Sequence, residues 1–321
     1  MQQTTLDKID LKIISSLTKD CRVPFRNIAS TVGITPNAIK ERIDKMISHQ
    51  IIQNFVINVN PVIFGYEKEC FLTIKDIDRK AIKEDDILNG LNLLGDVVVY
   101  AKQLGGAFIF VLLLKAGAED KIGLMVNLLK PAIVESSMFV SHKPISVNIN
   151  NSDFKIIKCL LSNPRMQVAD IASEASISTK TVKRRLEKMR ENHILQFSIL
   201  RDMSSMQLVG YIEFAVVINV TKSLYRNILE RIYLEMQEYL LLIPNVNQNE
   251  IIFAVFFCAN IPTVDSILTR LESYEGVNRT EAFVTTKLIY YQEWLKREID
   301  KRLSDSEELA TRKDHIVKMR S

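Results

Sequence analysis

The chain has 321 residues, 47% of them hydrophobic and 25% charged, with a net charge of +4. Its length allows more than one buried core, while its longest apolar runs, "FIFVLLL" at 108–114 and "IIFAVFF" at 251–257, are too short to cross a bilayer. The opening "MQQTTLDKID" lacks the basic, apolar and small-residue progression of a secretion signal, which places the chain in the cytoplasm with no membrane partner.

In chain order, Ile9, Ile13, Ile14 and Leu17 recur at helical spacing, and Phe25 to Val32 reads as a short second helix ended by Gly33. A third helix opens at "TPNAIKERIDKM", where Thr35 suits the N-cap and Pro36 the first helical position. Ile39, Ile43 and Met46 form its inward stripe, and "IIQNFVINVN" then reads as a strand that could make the ribbon of a wing. Next come a strand "CFLTIKDI", a helix "KEDDILNGLNLL", strands "DVVVYAKQ" and "AFIFVLLLK", a helix "AEDKIGLMVNLLK" and a strand "SSMFVSHKPISV". This is the split βαβ order of a ferredoxin-like sandwich.

The chain then repeats itself. Residues 10–53 superpose on 153–196 at a constant offset of 143, with identities that include Asp10/Asp153, Leu17/Leu160, Arg22/Arg165, Lys40/Lys183, Arg42/Arg185 and Met46/Met189. After a short insertion, Gly65-Tyr66 and Gly210-Tyr211 also match. Ser178 is the second cap, and Val182, Leu186 and Met189 repeat the inward stripe. The second sandwich follows as "YIEFAVVINV", a helix near 222–242, "IIFAVFFCA", a helix near 262–275 and "TEAFVTTKLIYY". The chain therefore divides into 1–60 and 148–205, each a winged helix-turn-helix, 61–147 and 206–290, each an αβ-sandwich, and a charged helix or tail at 291–321, an α+β chain in two copies. On the tail, Trp294, Ile299 and Leu303 share one side that suits a sandwich edge or an assembly contact.

Charge follows the helical units. Residues 1–60 carry +3 and 148–205 carry +4, against −1 for 61–147 and −3 for 206–290, which is the distribution a duplex-binding surface requires. In a helix-turn-helix the third helix enters the major groove. In the second copy Ser178, Thr179, Lys180, Lys183, Arg184 and Lys188 stand at its start or outward side, and in the first Thr35, Asn37, Lys40 and Glu41 do. Lys and Arg pair with guanine edges and Asn with adenine, so the copies should read unlike half-sites. Arg22 and Arg165, in the loop before each second helix, could reach phosphate or simply be solvated. Arg42 and Arg185 lie beside the buried stripe, where pairing with Asp10 and Asp153 is the simpler reading.

No nucleotide-binding glycine loop, nucleophile elbow or metal-ligand spacing is present, and Cys21, Cys70, Cys159 and Cys258 lie far apart, as inert buried thiols would. Neither a catalytic residue, a metal nor a cofactor is expected.

The runs "LDKIDLKIISSL", "IASTVGIT", "AIKERIDKM", "IIQNFVINVN" and "FGY", with their second-copy partners "SDFKIIKCLL", "IASEASIS", "TVKRRLEKM", "ILQFS" and "VGY", resemble the Lrp/AsnC (feast/famine) family of transcription regulators. The resemblance extends to about residue 290. It implies a DNA-binding unit joined to a sandwich that dimerises and senses small molecules, often amino acids. Two units in one chain would make an intrachain pseudo-dimer, with homo-oligomers assembling through the sandwiches. The Asp that family members place after a Gly in the effector cleft is missing in both copies, leaving Gly105, Gly106 and Glu250 as effector candidates, although Gly105 and Gly106 read first as a tight hairpin. The alternative is an enzyme like the sirohaem decarboxylases, which resemble the same family and pair two such units. His49 and His193 end the third helices, His142 is near the linker and His315 is in the tail, so no histidine points to a tetrapyrrole cleft.

Overall fold

A computed structural model describes residues 6–75, 83–118, 121–123, 133–141, 145, 147–246 and 251–305. The first three helices are α1 (Lys8–Lys19), α2 (Phe25–Val32) and α3 (Pro36–Ser48), followed by β1 (Ile52–Val59). The first sandwich contains β2 (Lys68–Lys75), α4 (Glu84–Asn92), β3 (Asp96–Gln103), β4 (Phe108–Leu114) and β5 (Ile133–Ser141). The second copy begins with α5 (Asn151–Ser162), α6 (Val168–Ala175), α7 (Thr179–Glu191) and β6 (Leu195–Arg201), then a short α8 (Met203–Leu208). Its sandwich contains β7 (Ile212–Val220), α9 (Tyr225–Glu235), β8 (Leu240–Val246), β9 (Ile251–Cys258), α10 (Ile261–Glu272) and β10 (Val277–Tyr290). A last helix, α11, covers 293–305. Of the helix expected at "AEDKIGLMVNLLK", residues 118 and 121–123 lie among those described, and 121–123 are helical.

Both sheets are antiparallel and have the same internal order, β5-β2-β4-β3 in the first copy and β10-β7-β9-β8 in the second. With strands counted within each copy, both read 4-1-3-2, the ferredoxin-like arrangement. Strand alternation then sorts the side chains. Cys70, Leu72 and Ile74 on β2 join a core that includes Ile87 and Leu91 of α4, and Phe214, Val216 and Ile218 on β7 join one that includes Ile228 of α9 and Ile267 of α10. The opposite faces pack on each other through Ala101 and Ile109 from the first copy and Ala215, Val255, Phe257 and Phe283 from the second, with the Phe71 and Phe253 rings 5.5 Å apart. The 14-residue β10 bridges the two sheets, pairing with β7 over its first half and with β3 over its second.

The extended arms correct the expectation of two separate wings. β1 and β6 pair with each other in a two-stranded antiparallel ribbon. Phe55 faces Ile199 and Val56 faces Ser198. Because Phe55 and Val56 are the repeat equivalents of Ser198 and Ile199, these two pairs exchange under the repeat, and a local pseudo-two-fold axis passes between them. Residues of both helical units, Ile13, Ile39, Ile156, Val182 and Leu186 among them, meet the ribbon's Ile57, Phe197 and Ile199 in one core.

Two further elements differ from expectation. The helix expected near 222–242 stops at Glu235, and 240–246 form β8. The tail helix α11 packs on the core shared by the helical units and also reaches the first sandwich. Leu295 and Ile299 are buried there, Trp294 meets Phe64 and Tyr66 edge-on, and buried Glu298 accepts hydrogen bonds from Tyr66 Oη at 3.2 Å and Lys115 Nζ at 3.0 Å. Lys158 of α5 also pairs with Asp300, so α11 ties the second helical unit to the first sandwich.

Candidate nucleic-acid interface

Each third helix is set by the same local devices. Gly33 (φ 76°) and Ser176 (φ 56°) turn the chain in the left-handed region after α2 and α6. Glycine adopts that conformation without strain, whereas Ser176 adopts it with a Cβ. Thr35 Oγ1 accepts from Ala38 N at 3.2 Å, and Ser178 Oγ accepts from Thr181 N at 3.1 Å, so both helices carry side-chain N-caps. The buried stripes are Ile39, Ile43 and Met46 on α3 and Val182, Leu186 and Met189 on α7.

The stripes settle what faces outward. Asn37, Lys40 and Glu41 are exposed on α3, as are Thr179, Lys180, Lys183, Arg184 and Lys188 on α7. Among the described residues, no carboxylate pairs with Lys180, Lys183, Arg184 or Lys188. Those cations are free to meet an anion that approaches the helix.

Two other arginines of the same helices are committed to structure. Arg42 Nη1 bonds Asp7 Oδ2 at 2.8 Å and Asp10 Oδ1 at 2.7 Å, while Arg185 Nη1 reaches only Asp153 Oδ2, at 3.3 Å. The second clamp is looser because Asn150 stands where the first copy has Asp7, and Arg185 Nε and Asp153 Oδ1 are left without hydrogen-bond partners.

The loop arginines do not join the outward set. Arg22 Nη1 donates to Pro164 O at 2.7 Å, and its guanidinium lies 5.3 Å from the Phe197 ring centroid. Arg165 lies over Phe25 at 4.5 Å and Phe55 at 5.1 Å. Both are half-buried at the boundary between the copies, where a weakly hydrated, planar cation stacks on an aromatic face. Arg22 and Arg165 thus brace the two units against each other.

Of the effector candidates, Gly105 (φ 87°) and Gly106 (φ 97°) form the turn between β3 and β4, closed by Gln103 N donating to Ala107 O at 2.8 Å. The hairpin accounts for both glycines, and Glu250 lies outside the described residues. The cysteines are buried free thiols, with burial pushing Cys21 and Cys159 up to about 11. Among the described residues, no group of His, Cys, Asp and Glu is arranged to hold a metal ion, and no described helix is long and apolar enough to cross a membrane.

One feature that sequence reasoning missed lies under the ribbon. Arg201 Nε and Nη2 both contact Glu213 Oε2 at 3.2 Å, the two side chains being 4% and 6% exposed. Arg201 Nη1 also donates to Thr18 Oγ1 at 3.2 Å, which ties α1 of the first copy to the second sandwich. In the first copy the repeat equivalent of Arg201 is Asn58, and there the ribbon and β2 flank a cavity of about 200 Å³ lined by Asn58 and Glu69.

A pair of capped, outward-facing third helices on one shared ribbon defines a helix-turn-helix DNA-binding protein. Comparison with known proteins agrees: residues 6–47 match an AsnC-type helix-turn-helix domain and 149–196 a winged helix-turn-helix DNA-binding domain. The chain is similar to the HTH-type transcriptional regulator FL11 of Pyrococcus furiosus, 34% identical over 104 residues that are 30% of this chain and 69% of that protein. It is also 30% identical to the regulatory protein AsnC of Haemophilus influenzae over 106 residues, 33% of this chain and 69% of that one. A crystal structure of the siroheme decarboxylase NirDL shares the fold, with a TM-score of 0.52 over 94% of this chain and 100% of that one, at 15% identity. The chain belongs to the Lrp/AsnC family of transcription regulators.

Proposed function

We propose that this DNA-binding regulator holds an asymmetric duplex site, with α3 and α7 in successive major grooves and the β1–β6 ribbon setting their spacing. The observation that carries the reading is the contrast between matched inner faces and unmatched outer ones. A homodimer of identical helices would favour a palindrome, whereas Asn37, Lys40 and Glu41 on one helix and Lys180, Lys183 and Arg184 on the other offer different partners to base edges. Thr35, Ser178, Thr179 and Lys188 flank these positions and face the same approach. A mobility-shift series on genomic fragments over a range of salt tests this, because binding through phosphates weakens steeply as salt rises. Binding that is insensitive to salt, or to Lys183→Ala with Arg184→Ala, contradicts it.

The reading is of a regulator and not of an enzyme, located in the cytoplasm, that forms homo-oligomers through its αβ-sandwich domains and responds to a small effector such as an amino acid. Of the histidines, His49 and His193 are exposed just after the ends of α3 and α7. Incubation with sirohaem, followed by absorption spectroscopy, tests the decarboxylase alternative; an unchanged spectrum is expected.

A further inference from the structure

The middle helices of the two helical units present unlike outward faces. On α2 the buried positions are Ile28 and Ala29, which leaves Arg26, Asn27, Ser30 and Thr31 exposed. Their repeat equivalents on α6 are Ala169, Asp170, Ser173 and Glu174, exposed over the matching buried Ile171 and Ala172. One face therefore carries a cation and the other two carboxylates. Among the described residues, no carboxylate pairs with Arg26, and no Lys or Arg pairs with Asp170 or Glu174. The third helices rank the other way: α7 carries six basic and two acidic residues, whereas α3 carries three and two.

In a helix-turn-helix, the helix before the groove helix crosses the duplex backbone. We infer that Arg26, with Asn27 beside it, holds a backbone phosphate in the first half-site, and that Asp170 and Glu174 keep the backbone away from α6 in the second. The phosphate grip thus passes from the middle helix of one unit to the third helix of the other. This rests on the duplex reading of α3 and α7. A guanidinium meets a phosphate through charge-assisted hydrogen bonds, and exposed charges act on one another over about 10 Å at 0.1 M salt. Carboxylates at the equivalent positions repel the phosphate, which disfavours the exchanged arrangement of the two units on one site. Phosphate contacts fix register and carry no sequence information, so Arg26 sets where α3 lies in its groove and leaves base choice to Asn37 and Lys40.

Affinity of the full chain for one bound fragment is measured by fluorescence anisotropy over a salt series. The proteins are the unaltered one, Arg26→Ala, Arg26→Lys and Asp170→Asn with Glu174→Gln, and Lys301→Ala on α11 is the control for loss of an exposed cation. Arg26→Ala should lower the slope of log affinity against log salt by about 0.9 and weaken binding about tenfold at about 0.1 M salt, by the same factor for every single-base variant of the fragment. Arg26→Lys should stay within about twofold, because a phosphate accepts a point charge where a base edge demands the planar fork. The α6 variant should bind at least about twofold tighter at low salt, with the gain vanishing as salt rises. The inference is overturned, with the duplex reading left standing, if Arg26→Ala behaves as Lys301→Ala does, if its loss is confined to particular base variants, or if the α6 variant binds no tighter. Salt-insensitive binding by the unaltered protein overturns both.

Discussion

On α3 the buried stripe is Ile39, Ile43 and Met46, and on α7 it is Val182, Leu186 and Met189, yet the outward Asn37, Lys40 and Glu41 of one helix stand opposite Lys180, Lys183 and Arg184 of the other. Inward positions share one core around the ribbon, where a lost methylene or a misfit is felt at once. Outward positions bear no such load and can differ. The same contrast recurs beneath the ribbon, where the second half holds an Arg201–Glu213 pair and the first holds Asn58, Glu69 and a cavity. The molecule thus keeps two-fold packing while its surfaces part company.

The largest expected effect tests the foundations. Arg201→Ala should destabilise the protein by about 3–5 kcal/mol in denaturant unfolding, because Glu213 is left buried without its partner, whereas Asn58→Ala should change it by about 1 kcal/mol or less. Similar losses at both positions would break the contrast. Next, Asn37→Ala should reduce discrimination at one base pair of the α3 half-site by about 1–3 kcal/mol, measured by competition between single-base variants of the bound fragment, with the α7 half-site unaffected. The caps should be alike. Thr35→Ala and Ser178→Ala are each expected to reduce stability by about 1 kcal/mol, since the hydroxyls accept from the repeat-equivalent N–H groups of Ala38 and Thr181.

A smaller effect lies in pH. Burial raises the folded Glu69 carboxyl from 4.5 to about 7. Between those values the folded state holds a proton that the unfolded state has released, so stability falls as pH rises through this window and levels off above it. The difference between the unaltered protein and Glu69→Gln, followed by unfolding midpoint from pH 4.5 to 8, should show this decline.

Much of this architecture is legible in the chain, because its determinants are local or repeated. The offset of 143 exposes the helical units, and short continuous apolar runs such as "AFIFVLLLK" announce buried strands. What alternation cannot state is a strand's partner: "IIQNFVINVN" suits a wing within its own unit as well as a ribbon shared between units, and only the packing of both units on one core selects the second. Arg22 and Arg165 were ambiguous for the same reason, since the aromatic faces of Phe197, Phe25 and Phe55 are brought to them from the other copy. The Asn58/Arg201 difference is visible at the repeat offset, but its meaning needs Glu69 and Glu213 beneath it, and the one-residue shift after Gly-Tyr hides that match.

The central claim is that the two third helices grip one duplex unequally. Its most direct test is the salt dependence of binding to a single bound fragment for three proteins: unaltered, Lys183→Ala with Arg184→Ala, and Asn37→Ala with Lys40→Ala. Each lost phosphate contact lowers the slope of log affinity against log salt by about 0.9. The account predicts a slope reduced by nearly two and a large loss of affinity for the α7 pair, against a slope reduced by one or less and a smaller loss for the α3 pair, each with altered base preference confined to its own half-site. Equal slopes for the two double variants, or an unaltered slope in the α7 variant, would contradict it.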